Sequence, residues 1–232
     1  MNNRNEKVAI LCLVKPNMAD KLWLACFENL SHVMRACGRE GYDTTLFLEV
    51  SEGDQEIHGQ AARGEHIGRI RQRLINRHLR GKKHLINWVF WMDADINGIS
   101  DFNIIPRLID VSRRHKAIVA PTILVEPAGD KRWYDTTGFI HNERKASPTL
   151  PWMSPHEIGG EPGLWALNGS VGCCYLFPYQ LLADDCQYRG HPCWTEHYPF
   201  CQDAIARGFK LIWDSTQIVV HARLPWYGER FH

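Results

Sequence analysis

An α/β domain built on one mostly parallel sheet is what this 232-residue sequence predicts, and three observations lead there. Apolar runs of strand length alternate with segments of helical period, in the order β-α-β-α-β-α-β, an irregular stretch, then β-α-β-β. Most of those runs are apolar throughout, as expected of strands covered on both faces. The composition, 44% hydrophobic and 23% charged, is that of a globular chain long enough to bury its own core.

The first strand is KVAILCLV, 7–14, bounded by Pro16-Asn17. From Met18 to Gly38, Leu22, Leu24, Cys26, Phe27, Leu30, Val33, Met34 and Cys37 recur at helical spacing, and Gly38 and Gly41 offer stops. YDTTLFLEV, 42–50, is β-branched and aromatic and reads as the second strand. Ser51 to Glu65, with three Gly and no period, reads as a loop, and the basic segment His66 to Arg80 as a helix. INWVFWM, 86–92, is the strongest strand and runs straight into Asp93-Ala94-Asp95. A helix over Phe102 to His115 and a short strand over Lys116 to Pro121 follow. Residues 122–168 are rich in Pro and Gly with little period. VGCCYLFP, 171–178, is a further buried strand, Glu196 to Gly208 a helix, and Lys210–Trp213 and Gln217–Val220 the last two strands.

A formal net charge of +1 gives no electrostatic drive towards nucleic acid or an anionic membrane. The eight Cys form no CxxC pair and no zinc-ribbon spacing. The first residues are polar and no stretch reaches the length of a membrane span. The expectation is a reduced, cytosolic chain with no transmembrane segment, any membrane contact being peripheral.

Chemistry concentrates where ligands bind in such sheets, at the carboxyl ends of the strands. Asp93 and Asp95 follow a buried strand, and alternation along an extended segment would aim both to one side. Two carboxylates so close repel, and a divalent cation, Mg2+ or Mn2+, resolves this while bridging the phosphates of a nucleoside diphosphate. His221 ends the last apolar strand and is a candidate third metal ligand. Arg69, Arg71 and Arg73 precede the strand to Asp93; only Arg69 and Arg73 share a helix face, so these two are the candidate phosphate contacts and Arg71 reads as solvated. Asn168-Gly169-Ser170-Val171-Gly172 would let backbone approach a sugar closely. Thr195 reads as a helix N-cap, and Glu196 as a first-turn carboxylate or as a base or hydroxyl ligand, with Asp203 the alternative.

From about Arg69 to His221 the chain resembles the Anp/Mnn/Van mannan-polymerase α-mannosyltransferases, glycosyltransferase family 62. The blocks that carry the likeness are the Arg-x-Arg helix, WVFWMDADI, IVAPTI, NGSVGCCYLFP, the Thr195-Glu196 that opens a helix, and a strand ending in His221. The resemblance implies a single GT-A, Rossmann-like domain over 1–232. Residues 1–121 would form a nucleotide-binding half, and 122–232 an acceptor half carrying the irregular insert 122–168. It implies Asp93 and Asp95 as metal and diphosphate residues, His221 near the metal and Glu196 near the acceptor. The donor would be a GDP- or UDP-sugar and the product a glycan. Without the family's membrane anchor and stem, the form resembles viral, phage or bacterial relatives. Trp133, Tyr134, Trp152 and Trp165 would stack on sugars.

Transfer of a mannose-like hexose to a hydroxyl acceptor is therefore the leading expectation. A sugar nucleotidyltransferase would want a Gly-rich loop after the first strand, where LVKPNMAD has none. A non-catalytic carbohydrate-binding module on the same fold would have little use for Asp93, Asp95 and His221 together. A dehalogenase-type phosphatase would carry its Asp-x-Asp after the first core strand, not here.

Overall fold

The computed structural model describes residues 5–14, 20–50, 60–125, 132–133, 140–141, 144–145, 163–191 and 195–222. Its frame is a sheet whose strands lie in the order Tyr42–Val50, Glu6–Val14, Trp88–Asp93, Cys174–Pro178, Ala117–Val125, Lys210–His221 and Ile96–Ile99. The apolar first run forms β1 (Glu6–Val14), which pairs in parallel with β2 (Tyr42–Val50) and with β3 (Trp88–Asp93). The helices α1 (Asp20–Arg39) and α2 (Gln60–His78) make the two crossovers. The first moves outward from β1 and the second moves back past it, so right-handed connections put the two helices on opposite faces. Helix α1 buries Cys26, Leu30, Val33, Ala36 and Cys37, and the chain reverses at Gly41 in a left-handed conformation, φ 82°. Leu24 and Phe27, in the same apolar pattern, are exposed instead.

Beyond β3 come β4 (Ile96–Ile99), α3 (Ile104–His115) and β5 (Ala117–Val125). Short strands β6 (Arg132–Trp133) and β9 (Leu164–Leu167) pair with β5 and with β11. A separate hairpin joins β7 (Ile140–His141) to β8 (Arg144–Lys145). Then follow β10 (Cys174–Pro178), a single turn α4 (Gln180–Ala183), α5 (His197–Ala206) and β11 (Lys210–His221). No helix among the described residues is long and apolar enough to cross a membrane.

The sheet is mixed, not mostly parallel. Strand β10 lies antiparallel between β3 and β5, with Cys174 opposite Met92 and Leu176 opposite Val119. Periodicity cannot reveal this, because a strand buried on both faces is apolar whichever way it runs. The reversal matters to the site: it sets the start of β10, and hence Asn168–Gly172, beside the carboxyl end of β3. Four further expectations are corrected. Helix α2 begins at Gln60, inside the stretch read as a loop. The two last strands are one, β11, with its register shifted between Asp214 and Ile218. Strand β4 follows Asp95 directly and pairs with the end of β11. Strand β5 runs four residues past Pro121, and Leu164–Leu167 is also a strand, so both ends of the insert are regular.

Candidate active site

The site forms where the buried strand β3 runs out. Ala94 N–H still donates to Leu13 O at 3.0 Å, so the chain stays tied to β1 through Asp93 and then turns. Strand alternation therefore ends at Asp93, and the two carboxylates enter different surroundings. Asp93 Oδ1 accepts from Trp91 Nε1 at 3.0 Å, and Oδ2 accepts from Arg71 Nη2 at 3.0 Å. Asp95 is buried, and its backbone O accepts from Ala222 N–H at 2.7 Å. The β4–β11 pairing, with a bulge between Val220 and His221, brings His221 onto it. His221 Nε2 lies 3.1 Å from Asp95 Oδ1, both side chains being nearly inaccessible.

The imidazole is oriented from behind. His221 Nδ1 is 2.7 Å from Ala222 O, and a carbonyl only accepts, so Nδ1 carries a proton. In the neutral ring the Nε2 lone pair then faces a carboxylate oxygen. Two acceptors at 3.1 Å are stable with a cation between them, whether proton or metal. A carboxylate suits Mg2+ or Mn2+, and of the two Mn2+ better accepts an imidazole beside it. Among the described residues no group of three or more His, Cys, Asp or Glu gathers that could hold a metal ion. Asp95 and His221 would fit a cation that takes its further ligands from phosphate oxygens.

Arg71 corrects the sequence reading most sharply. Its polarity points to solvent; it is 2% exposed. Its Nε donates to Glu196 Oε1 at 2.9 Å, its Nη2 to Asp93, and its guanidinium carbon lies 4.4 Å from the centre of the Trp91 ring. Burial alone would lower its pKa, but the carboxylates of Asp93 and Glu196 bind the charged form and raise it. Of the two arginines favoured for phosphate, Arg73 pairs with Glu49 at 3.1 Å, a carboxylate also held by Arg77, and Arg69 is exposed on the helix surface. The missed signal lies in the apolar stripe: Ile67, Ile70, Leu74 and Ile75 define the inner face of α2, and position 71 falls within it.

Glu196 is buried at the mouth of α5. Its Oε1 receives Arg71 and lies 3.3 Å from His197 Nε2. Burial pushes its carboxyl up; the adjacent His197 and the charge of Arg71, with hydrogen bonds from its own backbone and from Arg71, outweigh that and hold it below the usual range. Thr195 does not cap α5: the N-cap position is Glu196 with no side-chain cap, and Thr195 Oγ1 is buried without a hydrogen-bond partner among the described residues. Asp203, two turns on, is clamped by Arg189 at 2.6 and 2.8 Å and accepts from Gln187 N–H, which makes it a brace between α5 and the segment before it. The carbonyls of Asn168 and Gly169 accept from Gln202 Nε2 at 3.3 and 2.7 Å, so α5 also braces that loop. Trp165 packs against Trp213 with ring centres 6.3 Å apart. The sugar-stacking roles expected of Trp133, Tyr134 and Trp152 lie outside the described side chains.

No family model and no curated protein matches the chain. Solved structures do. The chain is similar to GalNAc-T7, crystallised with UDP, GalNAc and Mn2+, with a TM-score of 0.57 at 12% identity; the match covers 94% of this chain and 44% of that one. It is also similar to the catalytic domain of Drosophila β1,4-galactosyltransferase 7 in complex with xylobiose, with a TM-score of 0.50 at 10% identity, over 97% of this chain and 74% of that one. The chain thus spans under half the length of the GalNAc-T7 chain it matches. Identities this low speak for the fold alone. That fold, α/β with a mixed central sheet, is that of the GT-A glycosyltransferase catalytic domains.

Proposed function

We propose that this chain is a metal-dependent glycosyltransferase that moves a hexose from a nucleoside-diphosphate sugar to a hydroxyl of a glycan. The observation that carries the reading is the meeting of Asp95 and His221, from elements far apart in the chain, at 3.1 Å on the carboxyl edge of the sheet. A carboxylate and an imidazole buried face to face there have a clear use if a cation binds between them and the phosphates of a donor. The solved GalNAc-T7 complex with UDP and Mn2+, on the same fold, points the same way. The sequence blocks from Arg69 to His221 favour a mannose-like sugar on GDP or UDP, as in the Anp/Mnn/Van enzymes.

Asp95 and His221 would hold the metal, which when bound supplies positive charge to the departing diphosphate. Asp93, fixed by Arg71 and Trp91, presents a preoriented carboxylate to the donor side. Arg71 spans from there to Glu196, so the same guanidinium orients a group on the acceptor side. The loop over Asn168 and Gly169, held by Gln202, would line the sugar pocket.

The test is thermal melting of the chain with UDP, GDP and their hexose conjugates, each with and without Mn2+. A ligand at 100 times its Kd adds about 2.7 kcal/mol of stability. The expected result is a shift with one nucleotide family that requires Mn2+ and disappears in Asp95→Ala and His221→Ala. A folded wild-type chain that shifts with sugars but with no nucleotide would transfer the reading to a carbohydrate-binding module.

A further inference from the structure

Behind Glu196 stands a buried polar chain that no sequence motif marks. His197 Nδ1 is 3.2 Å from the Tyr175 hydroxyl, and that hydroxyl contacts the hydroxyl of Tyr188. Tyr188 stacks on Phe200 and lies tilted against Trp91, and its backbone N–H donates to Gln72 of α2 at 2.9 Å. All three polar side chains are at least 95% inaccessible. Nothing in the metal or donor chemistry proposed above uses them.

Their hydrogens can be placed by elimination. His197 Nε2 faces Glu196 Oε1 at 3.3 Å. A lone pair there would repel the carboxylate, so Nε2 carries the proton. In a neutral ring Nδ1 is then an acceptor, which the Tyr175 O–H fills, and Tyr175 in turn accepts from Tyr188. Each donor meets one acceptor, and the run ends on the carboxylate. The groups facing this run are Arg71 from α2, Cys201 from α5 and, beyond Arg71, Asp93 from β3. Burial pushes both tyrosine hydroxyls well up and the Cys201 thiol up to about 12, so these groups are neutral. Burial also lowers His197 to about 4, with Arg71 acting in the same direction and Glu196 against it. The side-chain contacts of Glu196 with Arg71 and His197 both fall on Oε1.

We propose that His197, backed by Tyr175 and Tyr188, is a positioning residue that holds Glu196 as a permanent anion, so that Glu196 binds a substrate hydroxyl and carries no proton. This rests on the glycosyltransferase reading for the identity of the hydroxyl, a sugar's, but not for the state of the histidine. It also favours one of the two roles open to Glu196, an acceptor for a hydrogen bond, because a carboxyl held below the usual range is a weak base. Tyr175 and Tyr188 act at one remove, by fixing the tautomer.

The test starts without any ligand. Histidine 15N NMR of the wild-type chain, with His197→Gln supplying the assignment, is expected to give a neutral ring protonated on Nε2 from roughly pH 5.5 to 8. Tyr175→Phe, which removes the Nδ1 partner, is expected to admit the Nδ1-protonated tautomer and to move the 13C carboxyl titration of Glu196 up by about one unit. An imidazolium or an Nδ1-protonated ring in the wild type at neutral pH would overturn the proposal, as would Glu196 titrating inside that window. Turnover supplies the second arm, with whichever UDP- or GDP-hexose stabilises the wild type in Mn2+. There kcat is expected to stay flat down to about pH 5.5; an acid limb near roughly pH 6–7 that vanishes in Glu196→Gln would mark a proton carrier and sink the idea. A wild-type chain that binds no nucleotide with Mn2+ defeats the glycosyltransferase reading instead, and leaves the NMR result for the histidine standing.

Discussion

Two buried charges, Arg71 and Glu196, and the half-buried Asp93 are held by geometry that no single pair could supply. Arg71 faces Asp93 and Glu196, and the Trp91 ring covers the guanidinium and donates to the same Asp93. Desolvation of such a group is offset when each carboxylate is hydrogen-bonded, as here. His197, next to Glu196, takes the opposite course and stays neutral. Its folded pKa of about 4 lies below the roughly 6.5 of an unfolded chain, so the unfolded state takes up the proton first. Stability from this residue is complete above about pH 6.5 and is lost as pH falls towards 4, by about 3 kcal/mol over that window. The depressed carboxyl of Glu196 adds a loss of the same sign at lower pH, below the usual carboxylate pKa. Urea unfolding at about pH 7 and about pH 4.5 should therefore show a drop in the wild type that is smaller in His197→Gln; equal drops in both would remove His197 as the cause.

At the scale of elements, α2 reaches the site through Arg71, and its fit against the 186–191 segment is close. A Cβ built on Gly190 would lie 2.7 Å from Glu65 Cβ and 2.9 Å from Glu65 Cα, so helix backbone would have to give way. A Cβ on Gly38, inside α1, would meet nothing within 4 Å. The two glycines should answer alanine with opposite signs. Gly190→Ala is expected to cost about 1–3 kcal/mol through overpacking, and Gly38→Ala to add about 0.5–1 kcal/mol through helix propensity and a less flexible unfolded chain. Melting temperatures of the two variants check this, and a neutral Gly190→Ala would show that α2 can shift freely. The same helix shows what a sequence can and cannot disclose. Ile67, Ile70, Leu74 and Ile75 mark the helix and its inner face, yet Arg71 on that face reads as solvated as long as polarity is weighed above position. Asp93, Asp95 and His221 are legible because each lies at the end of an apolar strand, where the chain must surface at the carboxyl edge. The Tyr175–Tyr188–His197 run is not, since its members come from a strand, a loop and a helix, and only their packing joins them. Nor is the direction of β10, because periodicity carries no sign.

Over the whole molecule, the sheet does not respect a division at residue 121. Strand β5 runs from Ala117 to Val125 across that point, β10 from the later part of the chain sits between β3 and β5, and β4 from the earlier part pairs with β11. Each part would present an unpaired strand edge if the other were removed, with the apolar face of β3 or β5 open to water. Nor could either part build the site alone. Asp93, Asp95 and Arg71 come before the division, and Glu196 and His221 after it. Two halves that share their central strands have no route to separate melting. The chain is therefore expected to unfold in one transition, with far-ultraviolet dichroism and tryptophan fluorescence coincident, since buried Trp88 and Trp91 report on β3 and Trp213 on β11. Residues 1–121 expressed alone are expected to lack a cooperative transition. Mn2+ with the preferred nucleoside diphosphate should then raise the one melting temperature without splitting it, because ligands drawn from both parts stabilise a single unit. Two separated transitions, with the ligand moving only one, would show that the parts fold independently and that the site is assembled by docking.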